Sequence, residues 1–145
     1  MAAKRIFISY SRKDEKFAEK IEQHLEAEGL EVVRDVHSLS AGRTQSQLEA
    51  EIAKADALLL IFSEKSAGSD WVEWEVDLAR QRERAEKIDL MCPISLDDAW
   101  RTATWSGPLM LQIRDYNILD FSEPRRFDEA FGKLVKGLRD WYARS

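Results

Sequence analysis

Short apolar runs alternate with amphipathic segments along almost the whole chain, and this alternation constrains the fold more than any other feature. The most apolar run, 57–62, predicts a buried strand. Further strands are predicted at 5–9, 30–33, 88–95 and 116–121, with helices between them. Strand and helix alternate about five times, which predicts a parallel sheet with helices on both faces. For 145 residues we expect an α/β fold with the five-stranded flavodoxin-like order 2-1-3-4-5.

The predicted helices are marked by apolar stripes and by capping residues. A helix over 14–28 carries apolar residues at every fourth position. A capping box at 46–49 predicts the start of the next helix, and 70–87 forms another after a polar loop at 63–69. The final helix carries an unbroken apolar stripe: Phe127, Phe131, Leu134, Leu138 and Trp141.

Charge and composition narrow the classes of function. The chain is 44% hydrophobic with a net charge of −5, which disfavours nucleic acid and anionic membranes as partners. One cysteine and two histidines exclude an intrachain disulfide and the usual Cys/His zinc site, so we predict no metal. No apolar run approaches the roughly 20 residues of a membrane span. We expect one cytoplasmic domain over residues 1–145.

The predicted topology also indicates where a ligand should bind. In an open parallel sheet, ligands lie beyond the carboxyl ends of the strands, at the point where strand order reverses. Here that point lies between the first and third strands, which are followed by 10–13 and 63–69. The loop 34–44 and the loop starting near Asp97 lie beside them.

Glu75 is the candidate functional residue that position alone singles out. Val72, Val76 and Ala79 form the inward stripe of its helix, and Trp71 lies one turn before Glu75 on the neighbouring stripe. A carboxylate in apolar company near the start of a helix at the switch point is a functional candidate. The alternative is a Glu that simply favours the positive end of the helix dipole.

The charged residues later in that helix have a plainer interpretation. Basic and acidic side chains are interleaved there, and we predict a solvated face: Arg80, Arg82, Glu83, Arg84, Glu86 and Lys87. The glycine patterns of dinucleotide-binding Rossmann sites and of P-loops are both absent from the sequence. A phosphoacceptor receiver is disfavoured, since no acidic pair ends the first strand.

Several segments together resemble a TIR (Toll/interleukin-1 receptor) domain, in the right order and at the right intervals. The run 6–11 resembles the family's first box, and Arg34-Asp35 with Leu39 and Gly42 resembles the second box and its BB loop. The run 63–75 resembles the third region, in which a Trp precedes a Glu by four positions. The BB loop lacks the proline common in receptor members, and 102–114, with Trp105, matches no TIR motif.

The resemblance implies roles for particular residues. In the enzymatic kind of TIR domain the residue matching Glu75 is catalytic, and Trp71 shapes the pocket. Other implied substrate contacts are Tyr10, Ser11, Arg12, Arg34, Asp35 and Trp100, with Arg12 or Arg34 near a phosphate and Trp100 stacked on the substrate. The implied self-association surface in the BB loop comprises Asp35, Leu39, Gly42 and Arg43.

The resemblance also implies two alternative functions. One is an NAD glycohydrolase, active when self-assembled, that cleaves the nicotinamide–ribose bond to give nicotinamide and ADP-ribose or a cyclic isomer. NAD would then be substrate, and no cofactor is needed, because the departing nicotinamide is neutral and one carboxylate is enough for an oxocarbenium-like ribose. The other is a non-catalytic module that binds further TIR domains in signalling.

Overall fold

A single parallel sheet forms the centre of the computed structural model, which describes residues 4–34, 45–101 and 116–140. Its strands lie in the order β2-β1-β3-β4-β5, and every neighbouring pair is parallel. The predicted flavodoxin-like order is therefore confirmed. The strands are β1 (Arg5–Ser9), β2 (Glu31–Arg34), β3 (Ala57–Phe62), β4 (Met91–Ser95) and β5 (Leu119–Asp120).

Helices cover both faces of this sheet, as predicted. In the described residues they are α1 (Glu15–Ala27), α2 (Gln45–Lys54), α3 (Glu64–Ala67), α4 (Asp70–Glu86) and α5 (Phe127–Arg139). Short 3-10 turns lie at Arg12–Asp14, Ala99–Arg101 and Pro124–Arg126. The first layer packs α1 and α5 on one face, and the second layer packs α2 and α4 on the other. None of these helices is both long enough and apolar enough to cross a membrane.

Side-chain alternation along β1 divides the core between the two layers. Ile6 and Ile8 lie in the first layer, whereas Phe7 lies in the second. Every residue of β3 is buried, as its continuous apolar run predicts for a strand covered on both faces. The inward stripe of α4, with Val72 and Val76, is buried as predicted.

Several predicted boundaries were wrong at the ends of elements. The polar loop 63–69 contains α3, because Ser63 Oγ accepts the Ser66 amide at 3.2 Å while Ser66 Oγ accepts the Ser63 amide at 2.8 Å. The second helix begins at Gln45, so Ser46 lies inside it rather than capping it. Ser69 caps α4, because its hydroxyl accepts a hydrogen bond from the Val72 amide at 3.2 Å.

The charged part of α4 is only partly the solvated face that the sequence predicts. Arg84, Glu86 and Lys87 are exposed. Glu83, in contrast, is buried, and its carboxylate accepts hydrogen bonds from Arg80 at 2.6 Å and from the Tyr116 hydroxyl. Through Tyr116, these contacts hold the start of the segment 116–140 against α4.

Candidate functional site

Glu75 lies in the second turn of α4 with its side chain fully buried in the second layer. Its Oε1 accepts a hydrogen bond from the hydroxyl of Ser9 at 2.8 Å. Ser9 ends β1, so the contact places the carboxylate at the carboxyl end of a central strand. Burying a carboxylate is costly, and buried carboxylates therefore concentrate at functional or tightly paired positions.

Ser9 is a contact that the sequence interpretation missed. The strand Arg5–Ser9 alternates between layers, and this period of two places Ser9 on the same side as Phe7. A hydroxyl at an inward position of a buried strand needs a hydrogen-bond partner. That requirement was the available signal, although it does not by itself identify Glu75 as the partner.

Hydrogen bonds join the loops that follow β1, β3 and β4. Ser63 donates its hydroxyl to the buried carboxylate of Asp14 at 2.5 Å. The Glu64 amide donates to Asp97 Oδ2 at 3.0 Å. These loops form one edge of the molecule, where the topology predicts the ligand site.

Both predicted tryptophans lie in the same layer as Glu75. Trp71 is half-buried, and its ring centroid is 5.1 Å from that of Trp74. Trp100 is also half-buried, and the guanidinium of Arg101 lies 4.8 Å from the centre of its ring. Trp100 lines a cleft of about 500 Å³ beyond the ends of β4 and β5.

Tyr10 and Arg34, two of the predicted substrate contacts, contact each other. Tyr10 is buried in the first layer, on the opposite side of the sheet from Glu75. Its hydroxyl accepts a hydrogen bond from Arg34 Nη1 at 2.9 Å. Tyr10 faces the first layer because side chains alternate along β1 and Ser9 faces the second. The substrate contacts of Tyr10 and Arg34 stay predictions.

Arg34 is held chiefly by carboxylates of α1, which it meets at 3.4 to 3.9 Å: Glu15, Glu19 and Glu22. Burial disfavours its charge, but the contacts with Tyr10 and Glu22 outweigh burial and raise the pKa of Arg34 above its usual value. The structure thus places this guanidinium in a set of intramolecular contacts. The choice between Arg12 and Arg34 as the phosphate contact stays a prediction.

Of the remaining predicted substrate and interface residues, only Ser11 and Arg12 lie within the described ranges. Ser11 is nearly buried and its hydroxyl accepts the Lys13 amide at 3.3 Å, capping the turn after β1. Arg12 is exposed beside it. The predicted BB-loop residues lie outside the described residues; these are Asp35, Leu39, Gly42 and Arg43. The stretch 102–114, with Trp105, also lies outside them. Within the described ranges, no three His, Cys, Asp or Glu side chains are grouped so as to hold a metal ion.

Comparison with known families decides what kind of domain this is. The family model described as the TIR domain matches residues 6–135. The chain belongs to the TIR domain family. The resemblance to a TIR domain that the sequence analysis found is therefore confirmed. No curated protein matches this chain.

Solved structures support the same fold. The TIR domains of the activated Roq1 resistosome, which directly recognises the pathogen effector XopQ, align with a TM-score of 0.72 at 13% identity, over 92% of this chain and 98% of that one. A prokaryotic SEFIR domain aligns at 0.64 with 17% identity, over 93% and 98%. A metazoan TIR-STING receptor from C. gigas aligns at 0.63 with 19% identity, over 90% of this chain and 39% of that one.

Proposed function

We propose that this TIR domain cleaves the nicotinamide–ribose bond of NAD, with Glu75 as the catalytic carboxylate. The observation that carries the proposal is the complete burial of Glu75 at the carboxyl end of β1, where it accepts a hydrogen bond from Ser9. Functional carboxylates are retained in such costly settings. Trp71, one turn earlier on α4, supplies the aromatic wall that the motif predicts.

The chemistry suits a site with a single carboxylate. Nicotinamide leaves NAD as a neutral molecule, so its departure needs no general acid. Positive charge develops on the ribose, as in glycoside cleavage, and a carboxylate stabilises that cation or holds the ribose hydroxyls. Attack by water then gives ADP-ribose, whereas attack by a group of the substrate itself gives a cyclic isomer.

Other residues of the same edge complete the proposed substrate site. Trp100 stacks on the substrate at the cleft beyond β4, and exposed Arg12 meets a phosphate. Ser11 lies between Arg12 and the strand end, and Asp35 is a further proposed contact. We do not assign Arg34 to a phosphate, because its guanidinium already contacts Tyr10 and α1.

The burial of Glu75 also bears on how the activity is controlled. A side chain with no exposed surface is closed to NAD, so catalysis requires a rearrangement that opens the second layer. We propose that self-association in the cytoplasm provides this opening, through the loop that carries Asp35, Leu39, Gly42 and Arg43. The activity should then rise more steeply than in proportion to protein concentration.

The test is NAD consumption by the purified protein over a wide concentration range, with Glu75→Gln and Glu75→Ala beside it. We expect turnover at high concentration only, and a loss of about 100-fold or more in both variants. Asp77→Asn is a matched control, because Asp77 is an exposed carboxylate on the same helix. Chromatography of the products separates ADP-ribose from its cyclic isomer.

Equal turnover in Glu75→Gln and the parent would remove Glu75 from the mechanism. NAD left intact by the parent at every concentration would instead favour the second candidate, a TIR module that binds other TIR domains without catalysis. In such a module the Glu75 carboxylate serves only to hold α4 against β1, through its hydrogen bond with Ser9. In that case Gly42 or Asp35 substitutions abolish association.

A further inference from the structure

Ser9 occupies an unusual place for a hydroxyl. It is the last residue of β1, a strand paired with β2 on one side and β3 on the other, and Ser9 itself pairs with Leu60. Its side chain has no exposed surface. Ser9 faces the same layer as Phe7, two residues earlier, but carries a polar side chain where Phe7 carries an apolar ring.

The hydrogen bond from Ser9 gives this hydroxyl a specific partner. Ser9 Oγ lies 2.8 Å from Glu75 Oε1, and the Ser9 hydroxyl donates this hydrogen bond. A glutamate side chain has several rotatable bonds, whereas Ser9 is fixed on a strand in the middle of the sheet. The bond thus ties a flexible carboxylate to one of the most rigid parts of the fold.

We propose that Ser9 is a positioning residue for Glu75, holding its carboxylate in the orientation that NAD cleavage needs. This inference rests on the proposed function. A hydrogen bond to a carboxylate fixes the direction of the accepting oxygen. A displacement of about 1 Å at a reacting group reduces turnover about 100-fold, so a single such bond has a measurable effect.

The experiment compares Ser9→Ala and Ser9→Thr with the parent, at concentrations where the parent is active, by measuring kcat and KM for NAD. We expect Ser9→Ala to lower kcat by roughly 10- to 100-fold with KM changed by less than about threefold. Ser9→Thr keeps a hydroxyl and should restore most of kcat. Asp77→Asn is the control, because Asp77 is an exposed carboxylate on the same helix and accepts a hydrogen bond from Gln81.

A second measurement does not depend on turnover. The ¹³C signal of the Glu75 side-chain carboxyl, assigned by its loss in Glu75→Gln, should move in Ser9→Ala and return toward its original position in Ser9→Thr. The Asp77→Asn control should leave it in place. This signal reports the hydrogen bond directly in the unassembled protein.

The outcomes separate the two proposals. A moved carboxyl signal with a lowered kcat in Ser9→Ala supports the positioning role. Unchanged kcat in Ser9→Ala, in a parent that cleaves NAD through Glu75, overturns the positioning role and leaves the proposed function standing. An unmoved signal also overturns it, and a parent that never cleaves NAD removes the proposed function and this inference together.

Discussion

Helix α4 buries two glutamates, and their surroundings differ. Glu75 lies in its second turn, next to the carboxyl end of β1, and accepts a hydrogen bond from Ser9. Glu83 lies two turns later, where its Oε2 accepts the backbone amides of Leu90 and Met91 at 2.8 and 2.9 Å. Met91 begins β4, so Glu83 lies at the amino end of a strand and Glu75 at the carboxyl end of one.

This difference shows that burial alone does not identify a functional carboxylate. Glu83 is bound by a guanidinium, a phenol and two amides, a set that fixes the path of the chain into β4. Parallel sheets bind ligands beyond the carboxyl ends of their strands, and Glu75 is the one of the pair that lies there. The edge of the sheet at which a buried carboxylate lies is therefore as informative as its burial.

The strongest test of this contrast is Glu83→Ala. The change removes a carboxylate that the Arg80 guanidinium, which is 17% exposed, and two backbone amides contact. Breaking a buried, hydrogen-bonded ion pair costs about 3–5 kcal/mol, and the partial exposure of Arg80 favours the lower figure. Urea unfolding measures the loss. A change below about 1 kcal/mol would mean that this network does not fix the chain.

Tyr116→Phe should have a smaller effect that depends on pH. Burial, followed by the hydrogen bond to Glu83, raises the pKa of the Tyr116 hydroxyl well above its usual value near 10. The stabilising effect of the hydroxyl, about 1 kcal/mol, is therefore complete below pH 10 and falls above it, because the unfolded chain then loses a proton that the folded chain keeps.

The measurement is the difference in unfolding free energy between the parent and Tyr116→Phe at several pH values. We expect the parent to be more stable at pH 8 and this advantage to shrink toward pH 11. A constant difference over that range would contradict the buried setting of Tyr116. Arg80 contributes in the opposite direction, but less than burial does.

Glu75→Gln should have the smallest effect on stability. The amide oxygen of Gln still accepts the Ser9 hydrogen bond, and the change removes the cost of burying a charge. We expect the unfolding free energy to change by less than about 1 kcal/mol, in either direction. Thermal unfolding of Glu75→Gln beside Glu83→Gln measures this, and a larger loss in the Glu75 variant would assign Glu75 a structural role.

Most of the fold was predictable because it follows from local patterns. The apolar run at 57–62 became β3, and the final stripe is buried on α5 from Phe127 to Leu138. Its last predicted member, Trp141, lies outside the described residues. The sheet order followed from the strand–helix alternation. Element ends were less predictable, since α3 depends on the reciprocal bonds between Ser63 and Ser66, which a run of polar residues does not distinguish from a loop.

The candidate site was predictable only in part. Helical spacing singled out Glu75 and placed Trp71 one turn before it, whereas the roles of Trp71, Tyr10 and Arg34 came from the resemblance. Tyr10 lies in the first layer and Trp71 in the second. Period-two alternation along β1 was enough to separate Tyr10 from Ser9. The burial of Glu83 had no local signal, because its partners come from β4 and from Tyr116, far along the chain.

Ser9 and Tyr10 are consecutive, yet one contacts Glu75 in the second layer and the other contacts Arg34 in the first. A slip of β1 by a single residue against its neighbours would exchange them, placing a phenol beside the carboxylate and a small hydroxyl in the apolar core. Such a chain would lose both hydrogen bonds at once. The register of β1 therefore decides both contacts together. A molecule in which β1 pairs in the wrong register lacks the Ser9–Glu75 hydrogen bond and the Tyr10–Arg34 hydrogen bond.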